Sequence, residues 1–215
     1  MTKAIFFDLD GTLADTIYSI LEALNPVLRK YGLPEKSYDD VSHALGCGVR
    51  TLLMRLIPEE KAADGEFVDM IVKEYNAAYS TTYLAAPLYD GVSEVVRELK
   101  ARGYILGVLS NKTDIYVKNM IAELFPAGEI SLPRGCTELP AKPDPTVPHL
   151  MASELGVSPE ECAFVGDSDI DVLTGKNAGM LPVAVSWGYG DREALLGASP
   201  EIVINRPEEL LEIFK

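Results

Sequence analysis

Residues 4–13 read AIFFDLDGTL, and this stretch decides the fold. Its four apolar residues predict a buried strand over 4–7, which ends in two carboxylates, Asp8 and Asp10. Ligands of open α/β sheets bind outside the carboxyl ends of the strands, and two acids so close together favour a hard divalent cation between them. Gly11 lets the backbone approach a ligand closely. The stretch therefore predicts a cation-dependent site, although a tight turn with a capping aspartate is the alternative interpretation.

Short apolar runs alternate with helical patterns beyond residue 87. Further strands are predicted over 104–109, 129–132, 162–165, 182–185 and 202–204, and helices over 92–102, 146–155 and 169–178. Several of the apolar runs are apolar on both faces, as in a parallel sheet that helices cover on both sides. The alternation predicts an α/β fold with a doubly wound, mainly parallel sheet.

One long segment shows no strand pattern. Between residues 15 and 86 the apolar spacing is helical, with patterns over 17–28, 38–45, 49–57 and 67–78, and with Pro26 as an expected kink. We therefore expect an α/β core domain formed by residues 1–14 and 87–215, and a helical domain inserted at 15–86.

The composition excludes several classes of function. The 215-residue chain carries 19 Lys and Arg against 33 Asp and Glu, a net charge of −14. So acidic a chain is a poor candidate for binding nucleic acid or anionic membranes, because that affinity depends on clustered cations. No apolar run reaches the roughly 18 residues of a membrane span, and the N-terminal run is too short for a signal peptide. Three cysteines without CxxC spacing favour reduced thiols over a disulfide framework or a zinc site, as in a cytoplasmic protein.

Three further segments place polar groups where predicted strands end or in loops. Asp167 and Asp171 follow the strand over 162–165 and lie four residues apart, so they would share one face if a helix starts there, although helix capping also favours acids there. Ser110 and Asn111 follow the strand over 104–109, where they could hold a phosphate oxygen or form an ordinary turn. Lys142 lies in a proline-stiffened loop and is either a phosphate ligand or a solvated surface lysine.

Together these segments resemble the haloacid dehalogenase-like superfamily, whose phosphohydrolases use an aspartate nucleophile. The motifs DLDGT at 8–12, SNK at 110–112, AKPDP at 141–145 and GDSDID at 166–171 occur in that family's order over nearly the whole chain. YDGV at 89–92 and SWGYG at 186–190 are similar to the phosphoglycolate phosphatase-like branch. The resemblance implies a Rossmann-like core, and it implies that residues 15–86 form the family's mobile cap domain.

The resemblance also implies roles for the acids. Asp8 is expected to be the nucleophile, which attacks phosphorus to form an aspartyl-phosphate. Asp10 is expected to be the general acid for the leaving oxygen and then the base for the hydrolytic water. Mg²⁺ is the implied cofactor, held by Asp8, Asp167 and the backbone carbonyl of Asp10. Asp171 is expected to support that metal site without ligating the ion itself.

Other positions are assigned to the substrate by the same resemblance. Phosphate contacts are expected from the side chains of Ser110, Asn111 and Lys142 and from backbone amides near Leu9, Gly11 and Thr12. Residues 46–50 resemble the branch's substrate-specificity loop, in which Gly46 and Gly48 give flexibility. Arg50 is the candidate ligand for a carboxylate or second phosphate on the substrate, with a plain surface arginine as the alternative.

The sequence thus predicts a magnesium-dependent phosphatase that acts on a small phosphate ester, with 2-phosphoglycolate as the best single candidate. A phosphosugar mutase of the beta-phosphoglucomutase type and a pyrophosphatase remain alternatives on the same scaffold. Phosphonate cleavage and dehalogenation are disfavoured because position 10 is an aspartate. A non-catalytic role is disfavoured because Asp8, Asp10, Lys142 and Asp167 are all present. We expect a cytoplasmic monomer or homodimer with no nucleic-acid or membrane partner.

Overall fold

The computed structural model describes all residues from Met1 to Lys215. The chain forms two compact units. The core unit contains Met1–Asp15 and Leu88–Lys215, and the helical unit contains Thr16–Pro87. That the helical unit acts as a cap stays a prediction.

The core unit is built on one six-stranded sheet. Its strands are β1 (Ala4–Phe7), β2 (Ile105–Thr113), β3 (Leu132–Cys136), β4 (Cys162–Gly166), β5 (Leu181–Val185) and β6 (Ile202–Ile204). They lie in the order β3-β2-β1-β4-β5-β6, and every neighbouring pair is parallel. Every residue of β1 and β4 is buried, as apolar runs at the centre of a covered sheet should be. The predicted fold class is confirmed.

Eleven α-helices accompany the sheet. The helical unit contains α1 (Ile17–Lys30), α2 (Tyr38–Ser42), α3 (Gly48–Leu56), α4 (Glu59–Ala62) and α5 (Gly65–Thr82). The core unit contains α6 (Val92–Ala101), α7 (Asp114–Leu124), α8 (Thr146–Glu154), α9 (Asp169–Asn177), α10 (Arg192–Gly197) and α11 (Leu210–Ile213). The helical unit contains no strand, as its sequence predicts. No helix has both the length and the apolar character needed to cross a membrane.

The helices follow local sequence signals. In the core unit, α6 begins after Gly91, whose φ of 83° suits a residue without a side chain. The apolar stripe predicted for α6 is its buried face, formed by Val92, Val95, Val96 and Leu99. In the helical unit, the Asp64 carboxylate caps α5 by accepting hydrogen bonds from the backbone N–H groups of Glu66 and Phe67. The helix α1 continues through Pro26, where the sequence predicts a kink.

The third strand lies later in the chain than its sequence predicts. Residues 126–129 form a turn, in which the Glu129 N–H donates to the Pro126 carbonyl and Gly128 has a φ of 88°. The strand begins at Leu132 and includes Pro133, which lacks a backbone donor and is tolerated because β3 lies at the edge of the sheet. The prediction over 129–132 was wrong because β3 carries no apolar run of its own.

Candidate active site

Three aspartates meet at the carboxyl edge of the sheet. Asp8 follows β1, and Asp167 follows the neighbouring strand β4, whose register pairs Phe7 with Val165. Asp171 lies in the first turn of α9. All three are buried, and one carboxylate oxygen of each lies within 4.8 Å of the other two. Parallel neighbours end at the same edge, and this brings together acids that are far apart in the chain.

A buried lysine faces two of these acids. Lys142 Nζ lies 2.8 Å from Asp8 Oδ1 and 2.7 Å from Asp171 Oδ1. Burial alone would lower the pKa of this lysine, but the Asp171 and Asp8 carboxylates raise its pKa above the usual range. Lys142 therefore stays charged at the centre of the cluster.

Asn111 fixes the loop that carries this lysine. Its side-chain amide donates to the Lys142 carbonyl at 3.1 Å, and its Oδ1 accepts the Lys142 N–H at 2.9 Å. These two bonds tie the 142 loop to the end of β2, on which Asn111 and the buried Ser110 both lie. The sequence predicts that Asn111 contacts the substrate phosphate, whereas in the structure its side-chain amide is hydrogen-bonded to the backbone of Lys142.

The acid cluster fits a divalent cation. Burial raises the pKa of Asp8 to about 7, although Lys142 opposes that shift. Burial, with the Asp171 and Asp8 charges, raises the pKa of Asp167 to about 8. Keeping these buried carboxylates ionised therefore costs free energy. A hard cation that prefers oxygen ligands would lower this cost by neutralising their charge. Asp171 pairs through Oδ1 with the Lys142 cation and accepts the Ser168 hydroxyl at 2.6 Å through Oδ2, whereas the donors to Asp167 are all neutral, so Asp167 keeps more of its negative charge for a cation.

The loop after β5 holds Asp167. The Oδ2 atom of Asp167 accepts hydrogen bonds from the backbone N–H groups of Tyr189 and Gly190 at 3.1 and 3.0 Å. The Oδ1 atom of Asp167 accepts a hydrogen bond from the Thr12 hydroxyl at 3.1 Å. A Cβ at Gly11 would collide with the Asp167 carboxylate, so only glycine fits that position of the loop. The contacts of residues 189 and 190 were not predicted from the sequence, in which the glycine-rich SWGYG segment was the only signal for them.

Asp10 lies outside the side-chain cluster. Its carboxylate pairs with Lys112 Nζ at 2.7 Å, and both side chains are largely buried. Lys112 had no predicted role, although it directly follows Ser110 and Asn111 in the sequence. The pair places the positively charged Lys112 side chain, from the end of β2, beside Asp10, the residue that is expected to transfer protons.

Two backbone amides of the loop over 8–14 form hydrogen bonds within the loop itself. The Gly11 N–H donates to the Ala14 carbonyl at 3.0 Å, and the Thr12 N–H donates to the Leu9 carbonyl at 3.3 Å. Two of the three amides predicted to bind phosphate therefore already have partners within the loop. Ser110 Oγ accepts the Lys112 N–H at 3.3 Å. The predicted phosphate contacts of these residues stay predictions.

The predicted specificity loop lies in the helical unit. Gly46 and Gly48 have φ values of 104° and 81°, so both positions favour glycine, and α3 begins at Gly48. Arg50 is exposed and pairs with Asp69 of α5 in the same unit. Its predicted role in substrate binding stays a prediction.

A doubly wound parallel sheet that gathers buried aspartates and a buried lysine at its carboxyl edge defines an α/β enzyme site built on carboxylate chemistry. The sequence profile described as haloacid dehalogenase-like hydrolase matches residues 5–185. The chain belongs to the haloacid dehalogenase-like hydrolase family, as its motifs predict.

Curated relatives and solved structures agree with this membership. The chain is 33% identical to a phosphoglycolate phosphatase of Aquifex aeolicus, over 98% of this chain and 96% of the relative. It is 31% identical to a phosphoglycolate phosphatase of Xanthomonas campestris pv. campestris, over 98% of this chain and 95% of the relative. The crystal structure of a "predicted phosphoglycolate phosphatase" from Haemophilus somnus 129pt superposes with a TM-score of 0.92 at 27% identity, covering 100% of this chain and 98% of the other.

Proposed function

We propose that this protein is a Mg²⁺-dependent phosphatase that hydrolyses a small phosphomonoester, with 2-phosphoglycolate as the leading candidate substrate. The observation that carries the proposal is the cluster of Asp8, Asp167 and Asp171 within 4.8 Å, with Lys142 paired to Asp8. Phosphoglycolate is proposed because relatives at 31–33% identity over nearly their full length bear that name.

The first chemical step is assigned to Asp8. Its carboxylate attacks phosphorus, the bond from phosphorus to the ester oxygen breaks, and an aspartyl-phosphate forms on Asp8. Lys142, whose Nζ already contacts Asp8, holds the phosphoryl oxygens and offsets their negative charge. Ser110 and Asn111, at the end of β2, line the phosphate position beside it. A buried cation next to the nucleophile lets two anions approach each other.

Proton transfer is assigned to Asp10. It donates a proton to the leaving oxygen in the first step, and in the second step it accepts a proton from the water that attacks the aspartyl-phosphate. The second step breaks the bond between Asp8 and phosphorus and releases inorganic phosphate. Lys112 Nζ, at 2.7 Å from the Asp10 carboxylate, holds that carboxylate in place for both transfers.

Mg²⁺ would be held by the carboxylates of Asp8 and Asp167 and by the Asp10 carbonyl, with Asp171 in support, and it supplies positive charge against the substrate phosphate. Substrate selection is assigned to the helical unit as a cap domain, and within it to the loop with Gly46, Gly48 and Arg50. We place the enzyme in the cytoplasm, in keeping with its free cysteines, as a monomer or homodimer.

A panel of phosphate esters tests the proposal. Purified protein is assayed for phosphate release from 2-phosphoglycolate, sugar phosphates, nucleotides and pyrophosphate, with Mg²⁺, with EDTA, and with Mg²⁺ restored in excess. We expect hydrolysis of a small monoester that stops with EDTA and returns with Mg²⁺. Conversion of glucose 1-phosphate to glucose 6-phosphate without phosphate release would instead establish the mutase alternative. Activity that EDTA does not change would overturn the metal requirement.

A further inference from the structure

Three loops at the carboxyl edge of the core unit are joined in a closed ring of hydrogen bonds. The Thr12 hydroxyl, after β1, donates to Asp167, after β4. The Trp187 indole N–H, after β5, donates to the Thr12 carbonyl at 3.0 Å. Tyr189 and Gly190, two and three residues beyond Trp187, donate back to Asp167. Residues 186–190, here called the 186–190 loop, thereby hold both the Asp8–Thr12 segment and Asp167.

Close packing reinforces this ring. A Cβ at Gly188 would overlap the Gly11 carbonyl and the Asp167 side chain. A Cβ at Gly190 would overlap the Asp167 carbonyl. Only glycine at both positions lets the 186–190 loop lie directly against Asp167. The loop therefore has little freedom to shift without moving this carboxylate.

The three acids of the cluster differ in what holds them. Asp8 and Asp171 each pair with the cation Lys142. Asp167 receives its three hydrogen bonds from neutral donors, a hydroxyl and two backbone N–H groups, and no lysine, arginine or histidine lies within 4 Å ion-pair distance of it. Neutral donors orient a carboxylate without cancelling its charge. Oδ2 takes two donors and Oδ1 takes one, so Oδ1 keeps acceptor capacity for a cation.

We propose that the 186–190 loop determines cation affinity by aiming Asp167, and that Trp187 is a positioning residue that anchors the loop to Thr12. The inference rests on the proposed function, because it needs a cation at Asp8 and Asp167. Groups that orient metal ligands without touching the metal commonly contribute about 10- to 100-fold in metal affinity. Trp187 orients Asp167 through the Thr12 segment and through its own loop.

The experiment titrates Mg²⁺ alone into purified protein by calorimetry, without substrate. Trp187→Phe keeps an aromatic ring and removes one N–H donor to a backbone carbonyl, and we expect about 10-fold weaker Mg²⁺ binding. Tyr104→Phe is the matched control, because it also keeps its ring and removes one donor, the hydroxyl that bonds the Lys215 carbonyl at 3.3 Å. Tyr104 precedes β2, at the opposite edge of the sheet, so Mg²⁺ affinity should not change.

A second pair of variants tests the packing. Gly188→Ala adds a methyl group against Asp167 and should weaken Mg²⁺ binding, whereas Gly197→Ala adds one where no atom lies within 4 Å and should not. For variants that bind more weakly, the Mg²⁺ concentration that gives half-maximal activity should rise by the same factor as the calorimetric dissociation constant. Thermal melting followed by circular dichroism confirms that each variant is folded.

Wild-type protein supplies a readout that needs no variant. Trp187 is the single tryptophan of the chain, so its fluorescence reports on this loop. A cation bound beside Asp167 should change the emission with the same midpoint as the calorimetric titration. Unchanged emission at saturating Mg²⁺, equal affinities of Trp187→Phe and wild type, or equal weakening in Tyr104→Phe would each overturn the inference. Wild-type protein that binds no Mg²⁺ would overturn the proposed function instead.

Discussion

The carboxyl edge of the core sheet, here called the catalytic edge, and the first turn of α3 in the helical unit hold their basic side chains in opposite ways. At the catalytic edge, the Lys142 side chain is 3% exposed and its partner Asp171 is 1% exposed. In the first turn of α3, Arg50 is 50% exposed and its partner Asp69 is 71% exposed. Breaking a buried pair typically costs about 3–5 kcal/mol, whereas an exposed pair contributes roughly 0–1 kcal/mol.

This difference separates two tasks. The catalytic edge has its charged groups oriented by the fold before any ligand arrives, at a cost in stability that buried charges always carry. The exposed Arg50 can exchange Asp69 for an anionic group of a ligand at little cost. Chemistry is therefore expected to depend on the buried network, and substrate preference on the exposed pair. The four variants below test that division, from the largest expected effect to the smallest.

Asp8→Asn should abolish turnover, with a loss on the order of 10⁴-fold or more in kcat, because the amide cannot attack phosphorus. The protein should stay folded, since Lys142 keeps its ion pair with Asp171. Phosphate release and thermal melting measure the two effects. The exposed Asp39→Asn, in the first turn of α2, is the control and should keep wild-type activity. Robust hydrolysis by Asp8→Asn would remove the nucleophile assignment.

Lys142→Met should damage both activity and stability. It removes the cation between Asp8 and Asp171, and we expect a loss of about 10²–10³-fold in kcat/KM and about 3 kcal/mol in the free energy of unfolding. Urea denaturation without Mg²⁺ measures the stability change. Lys3→Met removes the exposed Lys3–Glu161 pair and should cost less than about 1 kcal/mol with no loss of activity. Equal stabilities of the two variants would contradict the contrast between buried and exposed pairs.

Much of this network could be predicted from the sequence, because it depends on strand ends. Asp8 and Asp167 each follow a buried apolar run, and the central strands β1 and β4 lie where those runs predict. The edge strand β3 could not be placed, since Pro133 and Gly135 interrupt any apolar pattern. The other edge strand, β6, does carry an apolar run and lies at Ile202–Ile204 as predicted, so strand prediction depends on an apolar run and not on the position in the sheet.

Other contacts of the site have no local sequence pattern that would predict them. The Lys112–Asp10 pair joins residues 102 positions apart, and the Trp187–Thr12 hydrogen bond joins residues 175 positions apart. Both depend on the direction in which a side chain leaves a strand end or loop, which composition and spacing do not determine. The glycines at 188 and 190 were visible in the sequence, but the carboxylate that they accommodate was not.

Lys112→Met should affect activity according to the leaving group. Without its partner at 2.7 Å, the Asp10 carboxylate loses its fixed position, and kcat/KM for an alkyl phosphate, which reports the step that forms the aspartyl-phosphate, should fall about 10- to 100-fold. The kcat/KM for p-nitrophenyl phosphate should fall much less, because its phenolate leaves without a proton. Lys118→Met, which breaks the exposed Lys118–Asp114 pair, is the control and should change neither rate. The same fractional loss with both esters would show that Lys112 does not act through Asp10.

Arg50→Ala should change substrate preference and leave the chemistry intact. For a phosphate ester that also carries a carboxylate, KM should rise about tenfold, equivalent to about 1.4 kcal/mol and in the range of a charge-assisted hydrogen bond. For an uncharged alkyl phosphate KM should not change, and kcat should be unchanged for both esters. Asp69→Ala is the matched control: it removes the other half of the exposed pair and leaves Arg50 available, so KM should stay the same or fall. If Asp69→Ala raised KM as much as Arg50→Ala, the pair would matter only for the local structure between α3 and α5, and substrate preference would have to reside elsewhere.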